Sequence, residues 1–439
     1  MGKLFRCISV CLSALVMVLV LAACSMRPPA LTEQEQLAKR DEFIAAGGYR
    51  IAGSYEIDSA GESWRRNGKA LDTLMLAPRK PGTYPLIIYL PGLGEPADAG
   101  RLWREYWAKA GYAVLSVQAE DVARAFADLA PEFPEQPRAD GAFDRLFGDE
   151  PEGAIGPPGG RPDKAGRASS QALLEGERRY IGRAFFTEES VQSRIEQLSW
   201  VYAQCRQRAA AKQGLFARAD MSAVVLVGYD IGADTATRLL VGQAGHEAPE
   251  QPAFQPLAAM LISPVVAAAA GNLRADYRAI RLPLLALSSE QDSDSYGITT
   301  PELRRSVWDY AASRDKYLLL LKHARHAMFS GSAWSPNRHN GAGGEGRGLG
   351  PAGARPDFAG QFQGEGRRGG PPGGMGGMGG RPNRHDSPEI AAAHQQIGAV
   401  LSVSTAFFDS IVKNDNFAEL WLQQNAPAWL KPVADLTAN

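Results

Sequence analysis

Residues Ala223-Val224-Val225-Leu226-Val227 form a short unbroken apolar run, followed at once by Gly228-Tyr229-Asp230-Ile231-Gly232 and a helical stretch through Leu239 and Leu240. A strand that is apolar at every position is buried on both faces, which calls for a sheet covered by helices on both sides. The glycines constrain the chain further. Their spacing around Asp230 suits a sharp strand-to-helix turn in which strand and helix pass too close for side chains. Such a turn lifts the residue at its tip clear of the sheet, and here that residue is an aspartate.

The rest of the chain repeats the alternation. Apolar runs predict strands near residues 49–57, 70–77, 86–90, 113–117, 257–262, 283–287 and 316–321. Helices are predicted around Trp103, Tyr106, Trp107 and Ala110, ending at Gly111, over residues 188–212, and from Ser387 to about Leu422. Strands alternating with helices of these lengths give an α/β class, with a mostly parallel central sheet and helices on both faces. The spacing of Trp103 and Trp107 is that of a helix packing face. Residues 120–187 read as a cap-like insertion, with regular periodicity lost as far as about Ala168. A second insertion, residues 335–386, is rich in Gly, Pro and Arg and is expected to be disordered, because it holds too little apolar surface to offset ordering. Its arginines read as a solvated loop before they read as a contact for acidic lipid or polymer. The folded domain is expected over residues 48–434.

The N-terminus reads as an export signal: Lys3 and Arg6 precede an apolar run from Ile8 to Val20, and Leu21-Ala22-Ala23-Cys24 follows. This resembles a bacterial lipoprotein signal, residues 1–23, cut before a cysteine that becomes lipidated. The alternatives are a plain signal peptide or an uncleaved anchor. The resemblance implies a chain held in the bilayer through Cys24, and Ser25 implies outer-membrane sorting, facing the periplasm of the cell envelope. Residues 24–47 then form a tether or a first helix. Of the four cysteines, Cys7 and Cys11 leave with the signal and Cys24 carries lipid, so only Cys205 stays in the domain and no internal disulfide is expected. The 47 basic and 48 acidic residues nearly cancel and form no basic stripe, which argues against nucleic acid as a partner.

Three further segments bear on chemistry. Leu90-Pro91-Gly92-Leu93-Gly94 ends the strand before the first helix and by itself reads as a Pro-Gly turn. Ser288-Ser289-Glu290-Gln291-Asp292-Ser293-Asp294 is an acidic loop after a strand, and Asp292 is preferred over Asp294 and Glu290 as a partner for a histidine. His326 follows the last predicted strand within Lys322-His323-Ala324-Arg325-His326. His323 and His326 stand three apart on extended chain and face opposite ways, so they do not pair on a metal; neither a metal nor another cofactor is expected.

The segments 86–94, 194–200, 228–233, 283–297 and 315–331 together resemble the α/β-hydrolase superfamily, closest to its dienelactone-hydrolase-like and platelet-activating-factor-acetylhydrolase-like branch. That resemblance implies a triad in the chain order Asp230, Asp292, His326, and an oxyanion hole from the backbone N–H groups of Leu93 and Ile231. Members of this branch carry Ser or Cys where Asp230 stands. A carboxylate is already ionised near neutral pH and needs no base. The turn Gly-Tyr-Asp-Ile-Gly-Ala is similar to those of epoxide hydrolases and dehalogenases, which implies Asp230 as nucleophile at a saturated carbon, His326 as base for water and Asp292 as its orienter. There are departures: Ile231 stands where dehalogenases often carry Trp or Arg, and the cap-like insertion offers only Tyr180 where epoxide hydrolases use two tyrosines. The expectation is a hydrolase of a small-molecule substrate. The alternative is an inert fold that binds a ligand or an envelope partner, and direct base catalysis of ester hydrolysis by Asp230 is chemically less natural.

Overall fold

The computed structural model describes residues 31–51, 53–127, 129, 164–243, 254–266, 272–332 and 393–439. Nine strands form one sheet in the order β1-β2-β4-β3-β5-β6-β7-β8-β9. They are β1 (Ile57–Arg66), β2 (Lys69–Pro78), β3 (Tyr84–Leu90), β4 (Ala113–Ala119), β5 (Ala219–Tyr229), β6 (Ala258–Ile262), β7 (Leu284–Gln291), β8 (Lys316–Arg325) and β9 (Ala434–Ala438). From β4 to β8 all neighbours run parallel, and β1, β2 and β9 add antiparallel edges. The α/β expectation of a mostly parallel sheet therefore holds.

Two-residue alternation along the central strands builds two cores. Ile87, Val225, Val227, Met260, Leu285 and Leu319 point to one face, where α2 (Arg101–Lys109) and α6 (Ala393–Val412) cover them. Leu86, Ile88, Leu226, Leu261, Ala286 and Leu318 point to the other, under α4 (Glu188–Ala210) and α5 (Ile231–Gln243). Trp103 and Trp107 are fully buried on α2, and their indole N–H groups donate to the Phe329 carbonyl and the Ser404 hydroxyl, so the pair is a packing face, as its spacing predicts.

The edges depart from the sequence expectation. The strand expected over residues 49–57 lies instead at β1, joined to β2 by Asn67-Gly68, both at positive φ (49° and 79°). That is the backbone a tight two-residue hairpin requires. The segment read as a tether or a first helix does contain a helix, α1 (Glu33–Ala45), started by a Thr32–Glu35 capping box and docked on α6 through Phe43 and Ile44. Within the insertion expected to be irregular, α3 (Lys164–Ala184) is helical from Lys164 onward. The signal segment, Cys24 and the Gly/Pro/Arg-rich insertion lie outside the described residues. No described helix is long and apolar enough to cross a membrane.

Connectivity creates a crevice. From β3 the chain passes through α2 to β4 on one side. From β4 it crosses to β5 on the other side of β3 and then continues outward to β8. The helices that follow β3 and β5, α2 and α5, cover opposite faces. Their loops part at the carboxyl ends of these two strands, the place where an open α/β sheet receives a ligand.

Candidate active site

Strand register fixes the first contact. Leu90, the last residue of β3, pairs with Gly228 near the end of β5, so Leu93 and Asp230 emerge side by side. A Cβ on Gly228 would strike the carbonyl of Gly232, and one on Gly232 would strike the carbonyl of Leu90. Both glycines are thus required by close approach, as their spacing implied. Between them Asp230 sits at φ 54°, a left-handed conformation that costs a residue with a side chain roughly 1–2 kcal/mol. Its N–H donates to the Ile262 carbonyl at 3.0 Å, and its own carbonyl accepts from Asp234 N–H in the first turn of α5.

The two oxygens of the Asp230 carboxylate have different surroundings. Oδ2 accepts a hydrogen bond from the Leu93 N–H at 3.0 Å. Oδ1 is buried, makes no hydrogen bond, and faces Nε2 of His326 at 3.8 Å. Ile231 is the first residue of α5, so its N–H has no acceptor within the helix.

His326 opens a short helical turn directly after β8. Its Nδ1 lies 2.8 Å from Asp292 Oδ1 and 2.9 Å from the Ser263 hydroxyl. With Nδ1 committed to Asp292, Nε2 is the nitrogen that faces Asp230. Asp292 is fully buried and accepts further bonds from the Ser263 and Ser288 hydroxyls at 2.8 and 2.9 Å. Burial opposes ionisation of Asp292, but the hydrogen bond and charge of His326, with Arg304 and Ser263, outweigh it and hold this carboxyl below its ordinary range. Burial likewise opposes the imidazolium, and the bond and charge of Asp292 together with the charge of Asp230 overcome it, so His326 is a stronger base than a free imidazole.

The structure therefore brings together Asp230, Asp292, His326 and the Leu93 amide. Of the two rival acids, Glu290 is exposed, and Asp294 is buried but serves its own loop. Asp294 Oδ1 accepts from the N–H groups of Tyr296 and Ile298, and Oδ2 from Thr299 N–H and from Arg304 at 2.9 Å. His323 is exposed at φ 58° and takes no part. Among the described residues no group of His, Cys, Asp or Glu could hold a metal ion. Cys205 is buried, and burial pushes its thiol up to about 12.

Four residues of the site escaped the sequence. Ser263, at φ 52° after β6, touches both Asp292 and His326. Arg304, fully buried, donates to the carbonyls of Asp292, Ser263 and Pro264 and so fixes both the acid and the serine. Tyr296 is 2% exposed, and its phenol faces the Asp230 carboxylate without closing a hydrogen bond of ordinary geometry. Tyr180, the tyrosine the sequence offered, is 82% exposed. The fourth is Glu95, two residues beyond Leu93. None of the four sits in a local pattern; only the fold gathers them.

Behind the Asp230 turn a small, mostly apolar cavity is lined by Leu90, Pro91, Val117, Leu198, Val201 and Ile231. Comparison of the sequence with protein-family models found no matching family, and comparison with curated proteins found no match.

Proposed function

We propose that this chain is a hydrolase of the α/β-hydrolase type, tethered to the cell envelope by lipid on Cys24, in which Asp230 attacks a saturated carbon of a small-molecule substrate. The observation that carries the reading is the asymmetry of the Asp230 carboxylate: Oδ2 is held by the Leu93 N–H while Oδ1 stands bare before His326. An oxygen with no hydrogen bond keeps its full nucleophilicity, and the held oxygen is the one that becomes the carbonyl of the resulting ester.

The second half of the reaction uses the same groups. Water activated by His326 Nε2 attacks the ester carbon, and the charge that develops on Oδ2 meets the Leu93 N–H and, by position, the Ile231 N–H. Asp292 and Ser263 hold the ring, and Asp292 stabilises the imidazolium as it forms. Collapse expels the alcohol, which takes the proton back from His326. An already ionised nucleophile frees the histidine for this step alone. The bare oxygen, the strained φ of Asp230 and the oriented imidazole favour catalysis over the inert binding fold.

A His326→Gln variant tests this reading, because it can form the ester but not activate water. Incubated with an epoxide or a haloacid, it should gain the mass of one alkyl adduct on the peptide that holds Asp230. Turnover by the unaltered protein with no adduct in the variant contradicts the mechanism.

A further inference from the structure

The chain coming from Cys24 enters the fold at the same end as the crevice of Asp230. There α1 begins beside the first residue of α2, where the Glu33 carboxylate pairs with the Arg101 guanidinium. The start of α2 is in turn bonded to the segment that follows His326. The Gly100 N–H donates to the Ser332 hydroxyl at 2.9 Å, and the Leu102 N–H to the Gly331 carbonyl at 2.9 Å. From this point α1 runs along α6 towards the amino ends of the strands, Phe43 and Ile44 lying against Gly398 and Gly48 against Ser402. Just beyond it the Tyr49 hydroxyl meets Asp409, which also accepts from Tyr112 at the start of β4. The eight peptide steps from Cys24 to Thr32 span at most about 29 Å. Lipid on Cys24 therefore keeps the crevice end of the molecule close to the membrane.

The same end carries α3, which lies over the loops that leave the strands. A Cβ on Gly182 would meet the Tyr296 side chain at 2.6 Å, in the loop after β7. The Arg178 guanidinium lies 5.8 Å from the centre of the Phe126 ring, and Phe126, which follows β4, packs against Gly94 beyond β3. Arg178 and Gly182 are four apart and share the inner face of α3. Leu173 and Tyr180 are seven apart, and the geometry of the helix sets both about half a turn away from Gly182. They are 69% and 82% exposed. A single exposed leucine needs no explanation. Here a leucine and a tyrosine stand in line on the outer side of a helix that covers the crevice, at the end where the anchor enters. Tyrosine, with an apolar ring and a polar tip, suits the boundary between headgroups and acyl chains. We propose that the crevice end of this protein docks on the lipid bilayer, with Leu173 and Tyr180 of α3 entering its interface.

The inference rests on the lipid at Cys24, and it is the reach of that anchor that selects a bilayer as the partner. A second exposed apolar pair, Phe417 and Leu420, is 67% and 50% exposed on the helical turn Asn416–Leu420. The Phe417 ring lies 6.2 Å from that of Tyr49, past the far end of α1. The 13 residues of α1 put about 20 Å between that end and Thr32. Phe417 and Leu420 therefore belong to the end turned away from the anchor. Docked through α3, the crevice that holds Asp230 and His326 lies at the lipid surface rather than towards the aqueous space.

The whole chain, reconstituted into vesicles of phosphatidylethanolamine and phosphatidylglycerol, tests the docking. Leu173→Cys, Tyr180→Cys and, for comparison, Phe417→Cys are each labelled with an environment-sensitive fluorophore. Cys205 is buried and Cys24 is blocked by its lipid, so the label goes to the new thiol. All three positions are exposed, and the substitutions leave the core untouched. Labels at 173 and 180 should shift to the blue and lose emission to nitroxide-bearing lipid. The label at 417 should keep the emission of an aqueous site and lose it to iodide instead. Quenching by nitroxide lipid at 417 that equals or exceeds that at 173 and 180 overturns the proposal, as does its absence at all three. The mass of the N-terminal peptide from the same preparations reports the lipid on Cys24. Lipid present with labels 173 and 180 in water sinks the docking alone, whereas a chain without lipid sinks the envelope reading and the docking with it.

Discussion

Replacing Asp292 by asparagine keeps the shape of the side chain and removes its charge from a fully buried cluster. Asp292 Oδ1 contacts His326 Nδ1 at 2.8 Å and Arg304 Nε at 3.4 Å, and neither Asp292 nor Arg304 has any side-chain exposure. Breaking a buried pair costs about 3–5 kcal/mol when the partner is left alone. Arg304 keeps Asp294 at 2.9 Å and three carbonyls, so about 2–3 kcal/mol is expected where His326 is charged. The loss depends on pH. The folded-state pKa of His326 is raised, so its contribution is full below its unfolded value and is lost as pH rises through the folded value. That of Asp292 is depressed, so its contribution is present above its unfolded value and is lost as pH falls through the folded one. Both act together between the ordinary values of the two groups, 3.8 and 6.5. Urea unfolding at about pH 5.5 should show the full deficit, and at about pH 9 a smaller one, by about 1.4 kcal/mol for each pH unit that Asp292 adds to His326. Activity should fall about a thousandfold or more at either pH, because asparagine favours the wrong imidazole tautomer. Equal destabilisation at both pH values would refute the coupling of the two groups.

Gly232→Ala forces a methyl group onto the Leu90 carbonyl, at the contact that sets Leu93 beside Asp230; a loss of about 3 kcal/mol or more in thermal unfolding, or failure to fold, is expected. Arg304→Met leaves Asp294 buried without its cation and frees the carbonyls of Asp292, Ser263 and Pro264. It should lower stability by about 3–5 kcal/mol and reduce activity through misplaced Asp292, as denaturation and kinetics on the same preparation will show.

Strands β3 to β8 were legible because they are buried on both faces and read as unbroken apolar runs. Strand β1 was not: of Ile57–Arg66 only Trp64 is buried, and a solvated edge strand carries polar residues at most positions. Its signal was the Asn67-Gly68 pair, a turn rather than a periodicity. Strand β9 pairs on one side only and is largely exposed, which hid it in the same way. The site divides along similar lines. Asp230, Asp292 and His326 follow strand ends in chain order, so position marked them. Ser263 and Arg304 act through contacts between loops 29 and 12 residues from Asp292, and no local pattern announces them. Tyr296 was hidden within an acidic loop that the bonds of Asp294 to its N–H and to Arg304 hold in place.

The central claim is that Asp230 forms a covalent ester that water cleaves at the carboxyl carbon. A single turnover in heavy-oxygen water, with the protein in excess over substrate, followed by proteolysis and peptide mass analysis, addresses it directly. One heavy oxygen should enter the peptide that contains Asp230, and none should enter in Asp230→Asn. Turnover that labels only the product, leaving that peptide at its natural mass, would contradict the account.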